Sequence, residues 1–374
     1  MTQTPLRHTP LEQVHTDLGA TFTDFAGWQM PVRYSSDLAE HRAVREAAGL
    51  FDLSHMGEIR VSGPEAGQAL DHALAGKLSA VAPGRAKYSL LLTEDGGVVD
   101  DLVVYHLPDD DYLVVANAAN AETDLAELTH RCEGFDAEVT DESGDTALVA
   151  VQGPQAERIV LAALDDDRVE IDLDEVRDLK YYRVLVGSWD GHPLVVARTG
   201  YTGEDGYELY VPSGCATALW QTLVEAGGED LTPCGLACRD TLRLEAGMPL
   251  YGHELTLATH PSQAGLGRVV NFKKEGDFVG RGALEDRDSS DDRVLVGLAG
   301  QGRRAARAGY LVVDDEGQEV GVVTSGVLSP TLGHPIAMAY VEPSLREPKT
   351  LVNVDVRGTR LPMTVVELPF YKRS

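Results

Sequence analysis

The stretch between Ala86 and Ala116 limits the folds open to this chain more than any other. Three β-rich runs, AKYSLLLT, VVDDLVVYH and YLVVA, follow one another with only short polar breaks. Val, Leu and Tyr in short runs favour pleated strands. The first break, Glu94-Asp95-Gly96-Gly97, is an acidic-Gly-Gly hairpin turn, and the second spans 107–111. Asn120 then stands at the N-cap of a helix over 121–131. An antiparallel meander followed by a helix is not a strict βαβ alternation.

The flanking segments agree. The spacing of Leu38, His41, Val44 and Ala48 predicts a helix over 36–50 with Ser36 as N-cap, and Leu50 to Val61 reads as extended. Strands are predicted at 135–140 and 146–152, and a helix from Pro154 to about Leu164. Strands follow near 182–186, 194–197 and 207–211, the last after a glycine-dense turn at 200–206, then helices at 214–226 and 235–246. This order favours an α+β class with largely antiparallel sheets. Residues 276–292 are polar and end in a dense acidic stretch, where a domain boundary is expected between 1–275 and 290–374. Beyond it lie six short runs, 293–298, 309–313, 319–324, 336–341, 351–356 and 362–367, with Gly/Pro turns between them. That pattern describes a small all-β barrel or sandwich.

Charge narrows the partners. Asp plus Glu number 60 against 32 Lys plus Arg, a net charge of -28. Nucleic acid and anionic membrane surfaces need a basic face, so both are disfavoured. The acids cluster in short blocks at 109–111, 165–167, 291–292 and 314–315, and only Lys77, Lys87 and Lys180 precede residue 270. The blocks lack EF-hand spacing and suit a surface solvated in concentrated salt, a halophilic adaptation. Cys132, Cys215, Cys234 and Cys238 form no zinc quartet and are expected to be reduced. The polar N-terminus has no signal-peptide core and no run is long enough to cross a bilayer, so a cytoplasmic protein is expected. P-loop, dinucleotide, His-Glu-x-x-His and Gly-x-Ser-x-Gly signatures are absent, and no metal site is expected.

What remains is polar groups set in apolar strands. Asp101 shares a face with Val99, Val103 and Tyr105, and Asp100 with Val98, Leu102 and Val104. Both faces are apolar, so alternation does not choose between the two acids. A carboxylate there costs several kcal/mol unless it is paired. One reading has the pair capping a turn and meeting an arginine; the other makes one of them a buried acid, base or electrostatic anchor. Asn117 ends YLVVAN, where a plain turn-former would also serve. Arg239 and Arg243 lie four apart on a predicted helix, either pairing with Asp240 and other acids or forming a fork for a carboxylate. Tyr201 and Glu208 flank the glycine-dense turn, where glycines permit close approach to a flat ligand. His55, in SHMGE, reads as structural.

At these residues the chain resembles the aminomethyltransferase (T-protein) family of the glycine cleavage system. The matching stretches are FAGWQMPVRY (25–34), FDLSHMGEI (51–59), GGVVDDLVVY (96–105), YLVVANAAN (112–120) and RTGYTGEDGYEL (198–209). They continue with PCGLACRDTLRLEAGMPLYGHEL (233–255), TSGVLSPTLGHPIAMAYV (324–341) and PFYKR (369–373). The resemblance implies a three-lobed, cloverleaf-like fold, with two α+β lobes and a C-terminal β-barrel. It implies transfer of the one-carbon unit from the aminomethyl-lipoyl arm of H-protein to tetrahydrofolate, with release of ammonia. It assigns the catalytic role to Asp101 and pterin-pocket positions to Asn117, Tyr88, Met56, Val115 and Tyr105. Folate contacts are implied at Glu208, Arg239 and Tyr201, and at the terminal Tyr371 and Arg373. Two relatives of the same fold class offer alternatives: tetrahydrofolate-dependent demethylases of methylated amines or sulfonium donors, and non-catalytic folate-binding proteins of iron–sulfur assembly. The oxidases among the former carry a flavin domain, and the latter a Lys-Gly-Cys-Tyr motif; this chain has neither.

Overall fold

The 86–116 block forms the meander its sequence predicts: strands Arg85–Leu92, Val98–Leu107 and Asp111–Ala116, followed by helix Ala121–Arg131. The structure, a computed structural model, describes residues 5–373; of the polar amino-terminal stretch, residues 1–4 lie outside the described residues, as does residue 374. The chain divides into two compact units. One comprises the chain up to Ser89 with Asp101–Gly200 and Glu204–Arg239; the other comprises Leu90–Asp100, Tyr201–Gly203 and the chain from Asp240 onward.

The meander extends into a five-stranded sheet, in the order Arg85–Leu92, Val98–Leu107, Asp111–Ala116, Gly57–Ser62, Glu138–Asp141, of which all but Leu90–Leu92 and Val98–Asp100 belong to the first unit. A seven-stranded sheet runs in the order Val169–Glu170, Val184–Trp189, His192–Ala197, Gly206–Pro212, Thr146–Gln152, Ala48–Asp52, Leu231–Pro233. Its pairings are antiparallel except for Leu231–Pro233, which runs parallel to Ala48–Asp52. Helices Ala156–Leu164 and Ala216–Gly227 bring Ile159, Val160, Leu219, Trp220 and Leu223 against Val149, Val151, Val196, Leu209 and Val211. Burying large side chains of this kind stabilises by about 1.5–3 kcal/mol each.

Several boundaries differ from the sequence reading, each for a local reason. Ser36 caps its helix by accepting from the Ala39 N–H, but the helix stops at Glu46. Ala48 already pairs with Leu231, and sheet pairing takes the chain from there. The extended run is interrupted at Leu53–Met56 by a turn in which the Met56 N–H donates to the Leu53 carbonyl. Pro154 stands in the turn before its helix, which begins at Ala156. The polar 276–292 segment contains a short helix, Arg281–Glu285.

In the second unit six strands close into a barrel, in the order Val294–Gly300, Pro335–Val341, Glu319–Leu328, Leu311–Val313, Leu351–Val356, Thr359–Val366. Of the two architectures expected for this region, the barrel is the one adopted. Inward-facing Leu298, Val323, Ala337, Ala339, Val354, Met363 and Val365 fill it. The hairpin tip belongs to this unit, where the Val98 N–H donates to the Thr259 carbonyl at 3.0 Å. A Cβ on Gly97 would stand 1.9 Å from the Leu257 carbonyl oxygen, so the turn admits only glycine there.

Candidate active site

The structure separates the two aspartates that alternation left equivalent. Asp100 lies with Val98, Leu102 and Val104 on a face that is wholly buried, and is itself 0% exposed. Asp101 and Val103, on the other face, are only half-buried. The Tyr88 hydroxyl donates to Asp101 Oδ2 at 2.9 Å, and Asn117 Nδ2 donates to Oδ1 at 3.0 Å and to the Asp101 carbonyl at 3.2 Å. Strand pairing brings Asn117 in, since Val103 lies opposite Val115 and Asn117 follows two residues on, beside Asp101. Met56 stands half-buried just before Gly57, which pairs with Ala116. A carboxylate held by two neutral donors and partly open is oriented without being neutralised.

A second carboxylate, Glu208, is held by different residues. The Tyr105 hydroxyl donates to Glu208 Oε2 at 3.0 Å, Thr199 Oγ1 donates to the same oxygen, and the Tyr210 hydroxyl donates to Tyr105 at 3.2 Å. Burial, together with the charge of Glu208, pushes the Tyr105 phenol far above its usual value, so it remains a donor. Tyr182, half-buried and at φ 61, has its phenol raised by burial and then by Tyr181, Glu208 and Asp101. Thr199, Tyr210 and Tyr182 were not singled out from the sequence. Thr199 stands just before the predicted turn at 200–206, while the two tyrosines read as ordinary strand residues.

Arg239 is half-buried in the same unit, on helix Leu236–Glu245. Burial, against the charge of Asp52 and with a smaller push from the positive charge of Arg239, holds the His55 imidazole down at about 4, so His55 is neutral at pH 7. Arg243 takes the plainer of its two readings. It is 1% exposed and donates to Asp240, Glu254, Ser325 and the Met248 carbonyl. The glycine-dense turn also serves the fold: Cβ atoms at Gly200 and Gly206 would collide with the Gln152 amide, whose Nε2 donates to the Thr199 carbonyl. Thus Asp101, Asn117, Tyr88, Tyr105, Val115, Met56, Glu208 and Arg239 all belong to the first unit. Tyr201, Tyr371 and Arg373 belong to the second, where the Tyr201 hydroxyl donates to the Pro249 carbonyl and the Tyr371 N–H to the Glu245 carbonyl. Arg373 is exposed.

Residues 11–274 match the family model of the GCVT N-terminal domain, and residues 293–372 that of the glycine cleavage T-protein C-terminal barrel domain. An aminomethyltransferase of Cutibacterium acnes is 75% identical over 371 residues, covering 99% of this chain and 100% of that protein. An aminomethyltransferase of Streptomyces coelicolor is 58% identical over 380 residues, covering 100% of both. The crystal structure of the glycine cleavage system aminomethyltransferase T of Bartonella henselae superposes with a TM-score of 0.90 at 38% identity, covering 98% of each chain. By family models, full-length identity and fold alike, this chain belongs to the aminomethyltransferase (GCVT) family.

Proposed function

We propose that this chain is the aminomethyltransferase of a glycine cleavage system. It takes the one-carbon unit from the aminomethyl-lipoyl arm of H-protein, passes it to tetrahydrofolate and releases ammonia. The observation that carries the reading is the Asp101 carboxylate, fixed by Tyr88 and Asn117 on a half-open sheet face. The donor set fits a pterin: two carboxylates with differently arranged donors can meet the N–H groups at separate ends of a flat heterocycle, and Val115 and Met56 can cover its face. Arg239 suits the carboxylate end of a folate.

Bound tetrahydrofolate supplies the amine nitrogens that accept the carbon. The chain's own residues do the rest. As the amine or thiol leaves, the carbon gains positive charge, and Asp101 opposes it with a preorganised negative charge. Tyr88 and Asn117 keep that carboxylate from rotating away. Glu208, held by Tyr105 and Thr199, anchors the other end of the ring. We place the domain partition at 1–275 and 290–374 and the protein in the cytoplasm.

Aminomethylated H-protein and tetrahydrofolate together should give ammonia, and omission of either should abolish it. Turnover only with a methylated amine or sulfonium donor would overturn the reading. The acidic blocks further suggest a surface suited to concentrated salt, so the thermal midpoint should rise as salt screens self-repulsion. A midpoint unchanged or lowered by salt would reject that suggestion.

A further inference from the structure

One of the two donors that hold Glu208 stands where the sheet no longer fixes it. Glu208 Oε2 accepts from the Tyr105 hydroxyl, which belongs to strand Val98–Leu107, and from Thr199 Oγ1. Thr199 lies two residues beyond the end of strand His192–Ala197, whose last residue is opposite Glu208. Among the described residues the strand ladder stops short of Thr199, which is nevertheless buried.

Gln152 supplies what the ladder does not. It ends strand Thr146–Gln152 opposite Gly206, while Ala150 on the same strand lies opposite Glu208. Residues two apart on a strand share a face, so Gln152 and Glu208 are on the same side of the sheet. Glycine at 206 leaves the way across open. A Cβ there would stand 2.3 Å from Gln152 Nε2, and one on Gly200 would stand 2.0 Å from Oε1. The amide therefore sits between the two points where the glycine-dense turn leaves and rejoins the sheet. From there Nε2 donates to the Thr199 carbonyl at 3.0 Å, and the residue is 1% exposed. The room that these two glycines promised a flat ligand is taken by Gln152. Neighbouring backbone is fastened separately, the Gly153 N–H donating to the Asp205 carbonyl at 2.7 Å and the Arg198 N–H to the Arg183 carbonyl at 2.9 Å.

We propose that Gln152 is a positioning residue for the Glu208 end of the site, acting through Thr199. Without the amide a buried carbonyl loses its donor, and it regains one only by shifting toward water or another group. The branched threonine side chain is stiff at χ1, so its hydroxyl follows the backbone and leaves Glu208. Glu208 then keeps Tyr105 but loses the second donor that orients the same oxygen. The Asp101 carboxylate is untouched, since Tyr88 and Asn117 hold it independently. This rests on the reading of Glu208 as a folate anchor. The consequence is a weaker hold on folate with the charge of Asp101 in place.

The test is the affinity of the whole protein for 5-formyltetrahydrofolate, a non-reacting probe, with KM for tetrahydrofolate and kcat measured alongside. Gln152→Met keeps the length of the side chain and removes the donor. It should weaken binding about tenfold, the scale of a lost hydrogen bond to a charged group. KM should rise by a similar factor while kcat stays within about threefold of wild type. Thr199→Val removes the hydroxyl and should cost about as much. The double variant should bind within about twofold of Thr199→Val alone, because both substitutions break one chain of contacts. Losses that multiply, a Gln152→Met that binds like wild type, or one that lowers kcat at unchanged KM overturns the proposal while leaving folate binding intact. Thr199→Val binding as tightly as wild type does the same, whether or not Gln152→Met folds. Absence of binding in wild type overturns the folate reading and this proposal with it.

Discussion

Asp101→Asn is expected to cut turnover by about 10²–10³-fold while leaving folate affinity within a few-fold of wild type. The substitution removes the charge but keeps the shape. An asparagine can turn its oxygen toward Asn117 Nδ2 and its amide toward the Tyr88 hydroxyl, which then accepts instead of donating. The pocket's donors keep a partner, and what disappears is the negative charge that the proposed mechanism sets against the departing group. Asp100→Asn is the control. That side chain is fully buried on the opposite face, so its replacement should alter turnover per folded molecule much less. Near-normal turnover in Asp101→Asn would remove Asp101 from the mechanism.

The largest effect on stability is expected from Arg243→Ala. The guanidinium is 1% exposed and uses its whole fork. Nε meets Asp240, Nη1 meets Glu254 at 2.8 Å and the Met248 carbonyl, and Nη2 meets Ser325. Glu254 is itself fully buried, and its Oε2 otherwise accepts only the Leu250 N–H among the bonds described. Deleting one partner strands a buried carboxylate, a cost of about 3–5 kcal/mol. The thermal midpoint should fall by on the order of 10 °C. Arg243→Lys should fall in between, because an ammonium cannot reproduce a planar fork. A midpoint for Arg243→Ala within about a degree of wild type would show that the 240–255 segment is held by other contacts.

Local pattern made the elements legible and left their partnering obscure. The runs at 86–116 and the six C-terminal strands carry their own turn signals, so they could be read directly. Barrel order could not, because Val294–Gly300 pairs with Pro335–Val341 and Thr359–Val366, contacts far apart in sequence. Leu231–Pro233 is three residues long and ends in proline, and only its parallel pairing with Ala48–Asp52 makes it a strand. Helix Ala66–Ala73 has no side-chain cap, and short helices of this kind rely on packing rather than propensity. At the site, Asp101 could be named from the resemblance but not from alternation, since both faces of its strand are apolar. Tyr88 and Asn117 become its donors only once the sheet is assembled.

The most direct test of the central claim follows the carbon. H-protein carrying an isotopically labelled aminomethyl carbon would be mixed with tetrahydrofolate and this protein, and the products resolved by NMR. The account predicts that the label appears as methylene-tetrahydrofolate in step with ammonia, and that Asp101→Asn slows both together. Label recovered as free formaldehyde, or left on the lipoyl arm while wild type is present, would contradict it.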